Sequence, residues 1–229
     1  MHLGGGSRLA VAGTSVLTVV LLAAAAPAVS KVRPVCRLVS DARGDAGSAA
    51  VSQVPGGDTD DLLSADIASD GRTVTAVLRL ADVQVPDPMS PGGRAYAFYF
   101  QLRGSATRYA LTARTYPTGT RYHYGYLAKD AATNTYLTLL GEATGSVSTA
   151  TDQVRVHAPA AGFRVPALRR GTALTELSAI TYRWVGQGLV GNQDAGPVVI
   201  PLLGVGLVFD EATGDRYVIG TPSCVRPGT

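Results

Sequence analysis

Histidine is scarce in this chain. There are three, and only His123 and His157 lie beyond the N-terminal leader. The usual nucleophile settings are missing too: there is no G-x-S-x-G elbow and no H-E-x-x-H pair, and no cysteine is in a reactive context. Glu142, Glu176 and Glu211 stand in unrelated contexts and form no recognisable acid pair. Chemistry has to be argued from a site, and none is visible, so the sequence predicts a protein that is not an enzyme. Basic clusters are also lacking. Apart from Arg169-Arg170 the positive residues are dispersed, and the formal charge is only +3. That balance gives nucleic acid no electrostatic footing.

Only one long apolar run occurs, from Leu9 to Ala26 behind Arg8. It is interrupted by Gly13, Thr14, Ser15 and Thr18, turns alanine-rich, and ends in Ala26-Pro27-Ala28. A basic start, an apolar stretch and a small-x-small site are the marks of a secretory signal peptide, expected to span residues 1–28. The remainder, 29–229, is long enough for one sizeable core and is expected to be a single secreted domain, extracellular or associated with the cell envelope. No later run is long and apolar enough to span a membrane once the leader is cleaved.

Two cysteines in an exported chain are expected to pair. A Cys36–Cys224 disulfide would join the two ends of the domain. Between them short β-rich runs alternate with turn residues, and no stretch reads as a convincing helix. Expected strands are Val35 to Val39, Leu62 to Ser69, Arg72 to Leu80, Ala95 to Arg103, Arg108 to Tyr116, Arg121 to Leu127, Tyr136 to Leu140, Gln153 to His157 and Leu174 to Val185. A last hairpin, Val205 to Phe209 with Arg216 to Ile219, is expected to turn at Glu211 to Gly214. The clearest hairpin turns at Asp70-Gly71, where glycine accepts positive φ. Val74, Ala76, Leu78 and Leu80 alternate with polar residues, the pattern of a sheet with one buried face. Pro159 to Gly171 has room for a helical turn, and Gly186 to Pro201 reads as a long glycine-rich loop. The expected architecture is all-β: a two-sheet antiparallel β-sandwich, jelly-roll-like, of about ten strands.

Acid is concentrated where the domain opens. Asp41, Asp45, Asp58, Asp60, Asp61 and Asp66 are six of the 17 acidic residues. Calcium takes six to eight hard oxygen ligands, and Asp41, Asp45, Asp58, Asp60 and Asp61 have the chemistry to supply them. Asp58-x-Asp60-Asp61 packs carboxylates that repel unless a cation or solvent intervenes. The spacing is not that of an EF-hand, and aspartate beside glycine is also a good turn residue. A calcium-holding loop and a plain acidic loop both fit.

Tyr122, Tyr124 and Tyr126 alternate along one expected strand and so share a face, with His123 on the other. Outward, they would make a stacking platform for sugar rings; inward, they are core.

Taken together, Cys36-Arg-Leu-Val-Ser-Asp-Ala-Arg-Gly-Asp45, Asp60-Asp-Leu-Leu-Ser-Ala-Asp-Ile67, the Asp70-Gly71 hairpin, Gly145-Ser-Val147 and Val154-Arg-Val156-His-Ala-Pro159 resemble exported bacterial β-sandwich domains. The type is DOMON-like, akin to family 9 carbohydrate-binding modules, and similar domains are appended to secreted subtilisin-like proteases. The resemblance implies ligand binding, with calcium in some cases holding a loop. A single tryptophan, Trp184, on a pattern that reads as buried, departs from a sugar binder. The expected function is a non-catalytic binding module for a polysaccharide or cell-surface component, braced by calcium. The alternative is a structural or interaction protein of the cell envelope with no small ligand.

Overall fold

The computed structural model describes residues 33–47, 57–85, 93–129, 135–163, 168–184, 199–201 and 206–228. The leader, most of the Gly186 to Pro201 loop and the side chain of Trp184 lie outside them. From Arg33 onward the chain packs as one unit.

Among the described residues thirteen strands form one sheet: β1 Val39–Ser40, β2 Leu62–Ser69, β3 Thr73–Leu80, β4 Arg94–Leu102, β5 Arg108–Tyr116, β6 Gly119–Lys129, β7 Thr135–Glu142, β8 Thr144–Ser148, β9 Gln153–Pro159, β10 Ala173–Trp184, β11 Val199–Pro201, β12 Gly206–Gly214 and β13 Tyr217–Val218. Neighbours are hydrogen-bonded in the order β11-β7-β6-β5-β4-β10-β12-β1-β2-β3-β9-β8, with β13 beside β10. Every named pair is antiparallel.

The all-β antiparallel expectation therefore holds, but a division into two sheets is not confirmed. The reason lies at Ala143. Strand β7 pairs with β6 as far as Glu142↔His123, and one residue later β8 pairs with β9 from Thr144↔His157. The Ala143 amide donates to the Tyr122 carbonyl at 2.9 Å. One bent segment thus belongs to both ends of the ladder, and the sheet rolls up nearly into a barrel.

Alternation fills the inside. Tyr96, Phe98 and Phe100 of β4 are fully buried, as are Leu111 and Ala113 of β5 and Val74, Ala76 and Leu78 of β3. A single 3-10 turn, Ala160–Phe163, follows β9, and Phe163 meets the rings of Phe100, Tyr109 and Tyr124 at centroid distances of 5.6, 5.8 and 5.1 Å. Aromatic pairs at such spacings contribute about 0.5–1.5 kcal/mol beyond their buried area.

The β2–β3 hairpin turns where expected. Asp70 Oδ1 accepts from the Arg72 and Thr73 amides, both at 2.8 Å, and Gly71 adopts φ +86°. Two expectations are corrected. The first strand is reduced to an isolated bridge, Val35↔Ser223, and the two residues of β1, because Arg37 takes φ 55° and breaks the extension. The last hairpin does not form either. Strand β12 runs on through the expected turn to Gly214, held by β10, and Tyr217–Val218 returns to pair with β10 instead. Strands β8 and β11 were not expected from the sequence; β11, Val199–Pro201, closes what reads there as a glycine-rich loop and pairs with β7.

The chain ends are tied together. Cys36 and Cys224 form a disulfide, and beside it Val35 N donates to Pro222 O at 2.9 Å and Cys224 N to Val35 O at 3.2 Å. Such a bond belongs to a non-reducing environment. Among the described residues no helix is long and apolar enough to cross a membrane.

Candidate functional site

The short β1 lies between β12 and β2, in register Val39↔Gly214 and Ser40↔Ser64. The turn that follows it, Asp41 to Asp45, is therefore delivered beside the entry to β2 and the middle of β12. Three carboxylates converge there: oxygens of Asp41, Asp45 and Asp210 lie within 4.8 Å of one another. Asp61, just before β2, is outside that trio but neighbours it electrostatically. Its Oδ2 accepts from the Gly44 amide at 2.8 Å, within the Asp41–Asp45 turn.

The electrostatics are those of crowded acid. Burial, then the charges of Asp41 and Asp45, push the Asp210 carboxyl up to about 7. This happens although Asp210 Oδ2 accepts from the Leu62 amide at 2.6 Å. Burial also raises Asp41, with Asp45 and Asp61 adding to it. Two oxygens in this group are buried and lack a hydrogen-bond partner, Asp41 Oδ2 and Asp61 Oδ1, and Asp61 is only 1 % exposed. A buried acceptor without a donor is unfavourable, and the Asp41 and Asp210 carboxyls are hydrogen-bonded to each other.

The five aspartates singled out in the sequence thus divide. Asp41 and Asp45 come together, Asp61 stands against them, and Asp58 is exposed and outside the group. Asp60 is committed elsewhere: its carboxylate, fully buried, forms salt bridges with both Arg94 and Arg183. Its carbonyl accepts from Thr181 Oγ1 at 2.7 Å. Asp210 had not been singled out, because it lies far along the chain in a strand with no motif around it. The one cue is an acid pair, Asp210-Glu211, interrupting an otherwise apolar strand.

The tyrosine stripe faces inward. Tyr122, Tyr124 and Tyr126 pair with Ala113, Leu111 and Tyr109 of the core face of β5. Tyr124 is buried, and Tyr122 and Tyr126 are half-buried against the same core. Small residues make the room. A Cβ at Gly162 would collide with the Tyr124 ring, and one at Gly145 would collide with the Tyr122 ring. The stripe is therefore not an outer stacking platform.

His123 lies on the other face, as its place in the strand requires, paired with Thr112 and Glu142. Burial holds its imidazole below the usual value, with Glu142 opposing and Arg121 and Arg114 adding to the effect. His157 Nδ1 is 2.9 Å from Thr75 Oγ1, and burial lowers it as well. The two histidines sit on different strands with different partners.

No protein-family model, no curated protein and no solved structure matches the chain.

Proposed function

We propose that the protein is an exported, non-catalytic binding module whose fold is braced by a calcium ion at Asp41, Asp45, Asp61 and Asp210. The observation that carries this reading is the convergence of Asp41, Asp45 and Asp210 next to the buried, unpartnered Oδ1 of Asp61. Calcium suits an irregular set of carboxylates on a turn, with water and backbone carbonyls completing six to eight oxygens. Placed there, the ion would tie the turn after β1 to β2 and β12, close to the disulfide-linked end of the chain. It would brace the fold and leave ligand recognition to another face.

Export is supported by the leader and by the Cys36–Cys224 disulfide. The ligand class is a polysaccharide or cell-surface component, following the resemblance to DOMON-like and family 9 modules. The two-sheet sandwich of such domains belongs to this proposal, and an experimental structure of the calcium-loaded protein would decide between two open sheet edges and near closure.

A second reading, a structural or interaction protein of the cell envelope, is favoured by one observation: the tyrosines turn inward. Calcium titration by calorimetry tests the brace, and a glycan array on the calcium-loaded mature chain separates the two readings. Heat of binding that disappears in Asp41→Asn/Asp210→Asn, with glycans captured, supports the first. Calcium binding without any glycan captured supports the second.

A further inference from the structure

Past Cys224 the chain lies as a short strap on the outer face of the sheet. Val225 is buried against Ala68 of β2 and Val77 of β3, apart from the inward core. Three residues on, the Gly228 amide donates to Thr75 Oγ1 at 3.0 Å. Gly228 takes φ +73°, which glycine tolerates and which turns its N–H onto the sheet. The register sets Ala68, Thr75 and His157 in one row across β2, β3 and β9, with Thr144 of β8 beyond. Thr75 is fully buried, and its Oγ1 lies 2.9 Å from His157 Nδ1. A hydroxyl that accepts from Gly228 has one proton to give, and His157 Nδ1 is the acceptor in reach. The relay therefore runs one way: Gly228 N–H to Thr75, then Thr75 O–H to a neutral His157 whose proton is on Nε2.

We infer that His157 is the catch of an acid-opened C-terminal strap, closed while the ring is neutral and released when it is protonated. Protonation sets a second N–H against Thr75 Oγ1 and leaves the hydroxyl proton without an acceptor in a buried site, which is unfavourable. Gly228 is the member that can give way. It is exposed, so water can take its N–H, while Thr75 and His157 are held in the ladder. Once the strap lifts, the Thr75 hydroxyl can turn to water as well. Cys224 stays bonded to Cys36, so the strap opens as a tethered flap and bares Ala68 and Val77.

The surrounding charges favour a neutral ring. Arg155 lies two residues away on the same face of β9, and the strap adds Arg226. From β8 come only Thr144 and Ser146. Asp66 of β2 is held by Arg79 of β3 at 2.7 Å and by the Leu38 amide at 3.0 Å. Thr229, with the terminal carboxylate, lies outside the described residues. Burial, then Arg155, holds the imidazole below its ordinary value. The strap is thus closed at neutral pH and opens in acid, below about 6.5.

The test follows the Gly228 amide and the His157 ring together by NMR of the isotope-labelled mature chain as the pH is lowered. The Gly228 order parameter should start near the rigid value of about 0.85 and fall below about 0.6 with the midpoint of the His157 ring. His157→Asn, whose amide oxygen stands where Nδ1 does, should keep Gly228 ordered across the range. Thr75→Val should leave Gly228 mobile at every pH while the β2–β3 amides keep their native shifts. If Thr75→Val does not fold, the parent and His157→Asn decide the matter between them. Gly228 staying ordered through the His157 titration overturns the catch. Loss of order at an unchanged midpoint in His157→Asn also overturns it, since another group would then open the strap. An ordered Gly228 in folded Thr75→Val overturns the latch on Thr75.

Discussion

Arg94 and Arg183 occupy directly opposed positions on β4 and β10, and the fully buried carboxylate of Asp60 bridges them. Asp60 thereby sets a negative charge between two like charges at a buried register position. Asp60 in turn fixes the chain where it enters β2. Replacing one partner of a buried ion network costs about 3–5 kcal/mol, because the remaining charges are left uncompensated. Asp60→Asn should lower stability by that amount in urea or guanidinium unfolding. A loss below 1 kcal/mol would show that the arginines find other compensation.

The disulfide closes a loop with a sequence separation of 188. The chain-entropy model assigns a loop of that size about 5 kcal/mol, acting on the unfolded chain. Cys36→Ser/Cys224→Ser should therefore be less stable by up to about 5 kcal/mol with its far-UV spectrum preserved. Mass spectrometry of the exported protein, alkylated without reduction, should find no free thiol.

Tyr124 is expected to be intolerant of growth at its neighbours. A methyl at Gly162 would enter the Tyr124 ring, which also packs on Phe163 at 5.1 Å. Overpacking of this kind costs about 1–3 kcal/mol. Gly162→Ala should fall in that range, and combining it with Tyr124→Leu should restore part of the loss. Additive losses would contradict the contact.

His157 makes a pH prediction. Its folded pKa lies below the ordinary value of about 6.5. The unfolded chain therefore binds the proton more readily, and the stability due to this group is present above about 6.5 and lost as the pH falls toward the folded value. Asp210 works in the opposite sense, since its raised carboxyl favours the folded state as the pH falls from about 7 toward 3.8. The comparison must therefore be between proteins. In chelator, His157→Gln should lose less stability than the parent as the pH drops below about 6.5. Parallel curves would contradict the assignment.

The strands were legible because alternation is local. Val74 to Leu80 and Tyr96 to Leu102 announce both their extension and their buried face. Closure was not legible, because it depends on Ala143, a small residue with no signature, allowing one segment to serve two neighbours. The last hairpin failed for a related reason. Glu211 to Gly214 has the composition of a turn, but β10 is long enough to hold it extended. In the acidic site Asp41, Asp45 and Asp61 could be seen as a cluster, while Asp210 could not, since only the placement of β1 between β12 and β2 brings it there. Asp60 looked like its neighbours in sequence. Its removal from the site comes from two arginines, Arg94 and Arg183, distant from it and from each other in the chain.

The central claim is a calcium brace at Asp41, Asp45, Asp61 and Asp210. It is tested most directly by the thermal unfolding midpoint of the mature protein in calcium and in chelator. A ligand that binds only the folded state at a hundred times its Kd stabilises it by about 2.7 kcal/mol, or roughly 5–10 °C for a chain of this size. The account predicts a rise of that order in calcium, absent from Asp41→Asn/Asp210→Asn. An unchanged midpoint, or an equal rise in the variant, would contradict it.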